Sequence, residues 1–281
     1  MSINLTIDKN IINNLTTELL KKILPALKQK KIIMHLTDPF FQELLSDGNK
    51  NRKARHADIY NKIFNGSIIL SLPELIKSEL KGTRKLFYGQ NIELKIRALL
   101  IDLAQGKSLD DLLDRKLNEM AKYRRLFNAD LKFRQERNLV NVFNNIKDDI
   151  VNKPNDRKKI KNISFSDYYS IFSRDIKIKK IQKFLEAENI PYANCIDDYL
   201  NNPKFPCINA WVRYWFAYHY YTVQRGQPTL KGNDASDLVY IVAGNCVDYF
   251  VTNDDMLLTM GTLCYYSGKF INWSTFESKF L

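Results

Sequence analysis

The chain is poor in the residues that build the commoner metal and redox centres. It has only three histidines, His35, His56 and His219, far apart and without ligand spacing, and four cysteines, Cys195, Cys207, Cys246 and Cys264, with no Cys-x-x-Cys pair. Those counts exclude a zinc-finger or disulfide-framework reading and favour free buried thiols in a reducing compartment. No apolar run approaches the roughly 20 residues of a membrane-spanning helix. The N-terminus also lacks the basic-then-apolar layout of a signal peptide. The expectation is a cytoplasmic protein with no membrane partner. Acidic residues are the scarcer charge, 31 Asp and Glu against 43 Lys and Arg, for a formal net charge of +12. Such an excess points to polyanionic partners, nucleic acid above all.

What is present is ample for a core: 281 residues, 45% hydrophobic and 12% aromatic. The most informative stretch runs from Asn233 to Asp255. Asp234 or Ser236 can cap a helix, because a short polar side chain satisfies its first free N–H groups, and the apolar run Leu238 to Val242 continues it. After a turn at Gly244-Asn245, Tyr249-Phe250-Val251 reads as a short buried strand ending on Thr252-Asn253-Asp254-Asp255. The start of the chain follows the same logic. Ile3-Asn4-Leu5-Thr6-Ile7 alternates as a strand does and ends on Asp8-Lys9-Asn10, with a helix following at once. In a parallel sheet, acids that end two strands share one edge, the edge at which α/β proteins bind ligands. Crowded carboxylates repel, and oxygen-only ligands suit Mg2+ or Mn2+.

Between these ends, Ile32 to Leu36 predicts a second strand, and Thr37-Asp38-Pro39 starts a helix with proline at its first position. That helix puts Glu43 about one turn past the strand end, near the edge of Asp8. Residues 46 to 56 are polar and basic: either a solvated loop or a phosphate contact through Lys50, Arg52, Lys53 and Arg55. Ser67 to Leu72 predicts a third strand, followed by Pro73-Glu74 and a second acidic candidate, Glu79. Residues 81 to 229 read as a mainly helical insertion, in which Trp211 to Tyr221 suits core packing better than base stacking. Lys269 to Trp273 predicts a last strand, and Ser274 to Glu277 a short closing turn.

These residues resemble the PIN-like nucleases. Asp8-Lys9-Asn10 is similar to the family's opening Asp-x-Asn, and Glu43-Leu44 to its internal Glu-Leu pair, with Glu79-Leu80 the other candidate. Asp237 followed by Thr252-Asn253-Asp254 resembles the late pairing of a helix-opening Asp with a strand running into Thr-x-Asp. The resemblance covers residues 1–80 and 230–281. It implies a parallel-sheet α/β/α sandwich with the helical insertion between its two parts, and Mg2+- or Mn2+-dependent cleavage of phosphodiester bonds, usually in RNA. It implies metal ligands at Asp8, Glu43, Asp237 and Asp254, with Asp234 an extra ligand or the cap, and supporting roles for Asn10 and Thr252. A toxin or an RNA-processing enzyme fits, the former with an antitoxin-like inhibitor protein as partner. The alternative is an inactive PIN-like module that binds RNA or protein. A DNA nuclease is a third reading. A phosphatase on a similar sheet would want Asp-x-Asp, and Asp8-Lys9-Asn10 lacks the second Asp.

Overall fold

A computed structural model describes residues 2–29, 31–107, 163–172, 174–192, 196–225, 232–265 and 268–281. The fold is α/β, mostly helical, around a four-stranded parallel sheet in the order β2-β1-β3-β4. β1 (Ile3–Ile7) is flanked by β2 (Ile32–Met34) and β3 (Tyr249–Val251), and β4 (Phe270–Ile271) lies outside β3. Leu5 stands opposite Met34 on one side and Tyr249 on the other. β1 is therefore the point at which the chain changes direction across the sheet.

Alternation along each strand divides the apolar side chains between two cores. Leu5, Ile7, Val251 and Ile271 face one, with α1 (Lys9–Asn14), α2 (Thr17–Lys28), α3 (Asp38–Ser46), α4 (Lys50–Ile63) and α6 (Gln90–Ala104). α12 (Trp273–Phe280) adds Phe276 to it. Phe250 and Phe270 face the other, with α5 (Leu72–Leu80), α7 (Phe165–Ile171), α8 (Arg174–Ala187), α9 (Pro206–Arg225), α10 (Gly232–Ala243) and α11 (Asp255–Tyr265). Both faces of the sheet are thus covered, as a parallel sheet requires. α6 packs along α4, so the layer on the first face continues past residue 81. In α9, Trp211, Tyr214, Trp215, Phe216 and Tyr218 are buried, which makes this aromatic run part of the core.

Three local expectations change. The third strand contracts to isolated bridges, Leu36 with Ile68 (parallel) and Ile69 with Phe87 (antiparallel), because α5 starts at Leu72. The basic stretch is not a loop after Asn49. The Asn49 side chain accepts the Arg52 N–H and starts α4, whose buried face carries His56, Ile59, Tyr60 and Ile63. The closing turn is a helix of eight residues, capped by Asn272, whose Oδ1 accepts the Thr275 N–H. Lys153 to Lys161 and Cys195 lie outside the described residues.

Candidate active site

β1 and β3 are neighbours, so their carboxyl ends open side by side at the reversal point of the sheet. Asp8 follows β1 directly, and its N–H donates to the carbonyl of Val251, 3.0 Å away. Thr252 follows β3 directly and is wholly buried. Its hydroxyl donates to Asp8 Oδ2 at 2.9 Å and accepts the N–H of Asp254 at 3.0 Å. Asp254 in turn accepts the N–H groups of Met256 (2.8 Å) and Leu257 (3.0 Å) through Oδ1, capping α11. One threonine therefore connects the two acids that end the two strands. Burial raises the pKa of Asp8; the Thr252 hydrogen bond opposes this, and the charge of Asp254 adds to it.

Two helices bring further acids to this edge. Glu43 sits half-buried on α3, where Tyr240 Oη donates to its Oε1 at 3.4 Å. Lys9 Nζ donates to the Glu43 carbonyl at 2.9 Å. Asp237 lies on α10, one helical turn before Tyr240, and α10 packs on α3. Tyr240 is the common neighbour: burial raises its pKa, followed by the charges of Glu43 and Asp8, with Tyr60 and Asp237 contributing less. Tyr60, from α4, is completely buried with its hydroxyl unpartnered. Burial and then the charges of Asp8 and Glu43 raise its pKa.

The other sequence candidates are distributed as follows. Asp234 belongs to α10, and its side chain lies outside the described ones. Asn10 is the second residue of α1, and its buried Oδ1 has no hydrogen-bond partner. Glu79 is not at this edge. It is buried on α5, where its two oxygens accept the N–H groups of Cys207 (2.6 Å) and Ile208 (3.0 Å), so it caps the long α9.

Lys50, Arg52, Lys53 and Arg55 form the first turns of α4. Arg52 grips buried Asp47 with two hydrogen bonds, of 2.5 and 2.6 Å. That grip, more than any other contact, holds the Asp47 pKa down to about 2. Lys9 stands 3.9 Å from the same carboxylate, which ties this basic turn to the site edge. Arg55 donates to the Leu15 carbonyl at 3.3 Å. His56 behind them is held neutral, its pKa pushed down to about 4 by burial first and the charge of Lys9 second.

The donor types (carboxylates, hydroxyls and an orphaned amide oxygen) are those that Mg2+ or Mn2+ prefers. An acceptor such as Asn10 Oδ1, buried without a donor, is what a cation or its water satisfies. Among the described residues no three of His, Cys, Asp and Glu stand close enough together to hold a metal as they are placed. Local sequence missed Tyr60, Tyr240 and Lys9. Only Tyr240 had a local signal, its three-residue spacing from Asp237, which puts both on one helix face. Among the described residues no helix is long and apolar enough to cross a membrane. The chain matches no protein-family model, no curated protein and no solved structure with which it was compared.

Proposed function

We propose that this chain is a PIN-like, divalent-metal-dependent nuclease that hydrolyses phosphodiester bonds, with RNA as its preferred substrate. The observation that carries the reading is the Asp8–Thr252–Asp254 connection at the reversal point of a parallel sheet, with Glu43 and Asp237 gathered around Tyr240 beside it. Mg2+ or Mn2+ would be held by Asp8 and Asp254, with Glu43, Asp237 and Asp234 as further oxygen donors. When bound, such an ion lowers the pKa of a water and offsets the charge that builds on the scissile phosphate.

The chain's own residues prepare that site. Thr252 fixes Asp8 and the Asp254 backbone in one register. Tyr240 and Lys9 hold Glu43 from its side chain and its carbonyl. The amino-terminal turns of α4 present Lys50, Lys53 and Arg55 to the flanking phosphates, while Arg52 braces Asp47.

The test is cleavage of an end-labelled RNA with Mn2+ or with chelator, using wild type, Asp8→Asn and Asp254→Asn. Removing a group that acts in the transition state costs about 10²- to 10³-fold in rate or more. Loss on that scale in both variants, with unchanged circular dichroism, supports the proposal. Cleavage that persists in chelator, or equally in both variants, refutes it. Salt-sensitive RNA binding without cleavage would mark an inactive binding module. A parallel DNA substrate decides the nucleic-acid class.

A further inference from the structure

We infer that His35 is a pH-sensitive latch: neutral, it holds residues 67–70 on the edge of the sheet, and protonated, it lets them go. The latch is separate from the carboxylate edge and does not depend on the nuclease reading. Asn4, its partner on β1, precedes Asp8 by four residues, roughly 13 Å along a strand. Ile68 extends the sheet outside β2 through its parallel bridge to Leu36, and α5 begins just beyond.

The His35 ring is 5% exposed and stacks on Phe87, with the centroids 4.6 Å apart. Its two nitrogens meet different partners, and those partners fix the tautomer. Asn4 Nδ2 donates to Asp248 Oδ2 at 3.4 Å, which leaves Asn4 Oδ1 facing His35 Nε2, 3.1 Å away. Nε2 therefore carries the hydrogen. Nδ1 is bare and accepts the Ser67 N–H at 3.1 Å. The chain of contacts runs from Asp248, just before β3, across β1 and the end of β2 to Ser67. With one proton on the ring every link in it is made. Gly66 lets the outer segment come this close, since a β-carbon there would stand 2.9 Å from His35 Nδ1 and 2.7 Å from the Met34 carbonyl.

A second proton, on Nδ1, disturbs both backbone bonds at Ser67. It removes the acceptor of the half-buried Ser67 N–H, which has no other among the described residues. It also aims Nδ1 at the Ser67 carbonyl, 3.3 Å away, in competition with the Leu36 N–H that this carbonyl accepts at 3.2 Å. A backbone N–H left without an acceptor costs about as much as a lost hydrogen bond. Glu93 of α6 and Asp248 are the charged groups that face the ring, and both favour the cation. Each has a cation of its own: Arg97 stands 3.2 Å from Glu93, and Lys269 lies within the field of Asp248. Burial outweighs them and lowers the His35 pKa from its ordinary 6.5. The latch therefore contributes fully above pH 6.5 and is lost as pH falls below that value, because the opened segment takes the proton more readily.

The experiment is nuclear magnetic resonance on the full chain from about pH 7.5 to 5, across the range in which histidine titrates. Long-range proton–nitrogen spectra read the His35 tautomer, and amide exchange reads local opening as protection factors. The expected tautomer at the upper pH is Nε2–H. Protection of the Ser67 and Ile69 amides should fall by up to about tenfold per pH unit below 6.5. The Thr252 amide, which donates to the Ile271 carbonyl across the sheet, should keep its protection. His35→Asn offers Oδ1 in place of Nδ1 and does not titrate, so its Ser67 protection should be flat with pH. His35→Phe keeps the stacking but has no acceptor, so Ser67 should be weakly protected throughout. The inference is overturned by an Nδ1–H tautomer, by Ser67 protection that is flat in wild type, or by Thr252 losing protection in step with Ser67, which marks global unfolding. The wild-type spectra alone decide these three points if a variant fails to fold. Cleavage, or its absence, leaves the result standing.

Discussion

Asp8 carries a conflict that a single substitution exposes. Its carboxyl is buried and its pKa raised, chiefly by burial. The folded state therefore holds a proton more tightly than the unfolded state, and stability falls as pH rises from the unfolded pKa through the folded one. Above its folded-state pKa the ionised acid works against folding. Asp8→Asn keeps an acceptor for Thr252 and removes the charge, so it is expected to raise the melting temperature at pH 7 while abolishing cleavage. A lower melting temperature in the variant would refute this. Asp47 behaves in the opposite sense. Its pKa is held down to about 2, first by Arg52, so its contribution is complete above the unfolded value of about 3.9 and is lost as pH falls through 2. Because the Arg52 side chain is 55% exposed, solvent screening reduces this to roughly 1 kcal/mol. Urea midpoints of Asp47→Asn and wild type should differ at pH 6 and converge toward pH 2.

At the scale of elements, two contacts decide how the helices sit. Glu79 on α5 satisfies the first amides of α9 from 128 residues away. Glu79→Ala leaves these buried N–H groups unpaired and is expected to cost about 2–3 kcal/mol. In chemical denaturation it should shift the midpoint well beyond Glu74→Ala on the same helix. The second contact is a close approach. A β-carbon added at Gly261 of α11 would stand 2.2 Å from Phe270 Cγ, so only glycine lets α11 lie on β4. Gly261→Ala should cost about 1–3 kcal/mol by overpacking, measurable as a lower melting temperature.

These contacts also explain what local sequence could reveal. The strand of residues 3–7, the helix-turn-strand of 238–251 and the acids at both strand ends were legible because polar punctuation follows short apolar runs. The choice between Glu43 and Glu79 was not, since both stand in Glu-Leu pairs and only the partner helix, α9 or α10, distinguishes them. Tyr60 was hidden for the same reason: in local sequence it is one apolar position of α4. The third strand was overestimated because Ile68 to Leu70 has strand composition, while the chain must turn into α5 within three residues.

The whole chain carries an excess of basic charge, whereas the named side chains of the candidate site are largely acidic. Under the proposed function, binding of RNA should weaken steeply as salt rises, because each phosphate contact releases a counterion. Lys50→Gln with Lys53→Gln is expected to reduce the slope of log K against log salt by about 1 to 2, leaving melting temperature unchanged. An unchanged slope would remove α4 from the interface.

The hydrogen bond from Thr252 to Asp8 spans 244 residues. On a ribosome adding about 5–20 residues per second, roughly 10–50 s separate synthesis of the two ends. Throughout that interval Asp8 has neither the hydroxyl that orients it nor the second acid beside it. A growing chain therefore lacks the Asp8–Thr252–Asp254 connection until its last strands are made. Under the nuclease function proposed above, competence would arrive only with the last strands, a delay built into the order of synthesis.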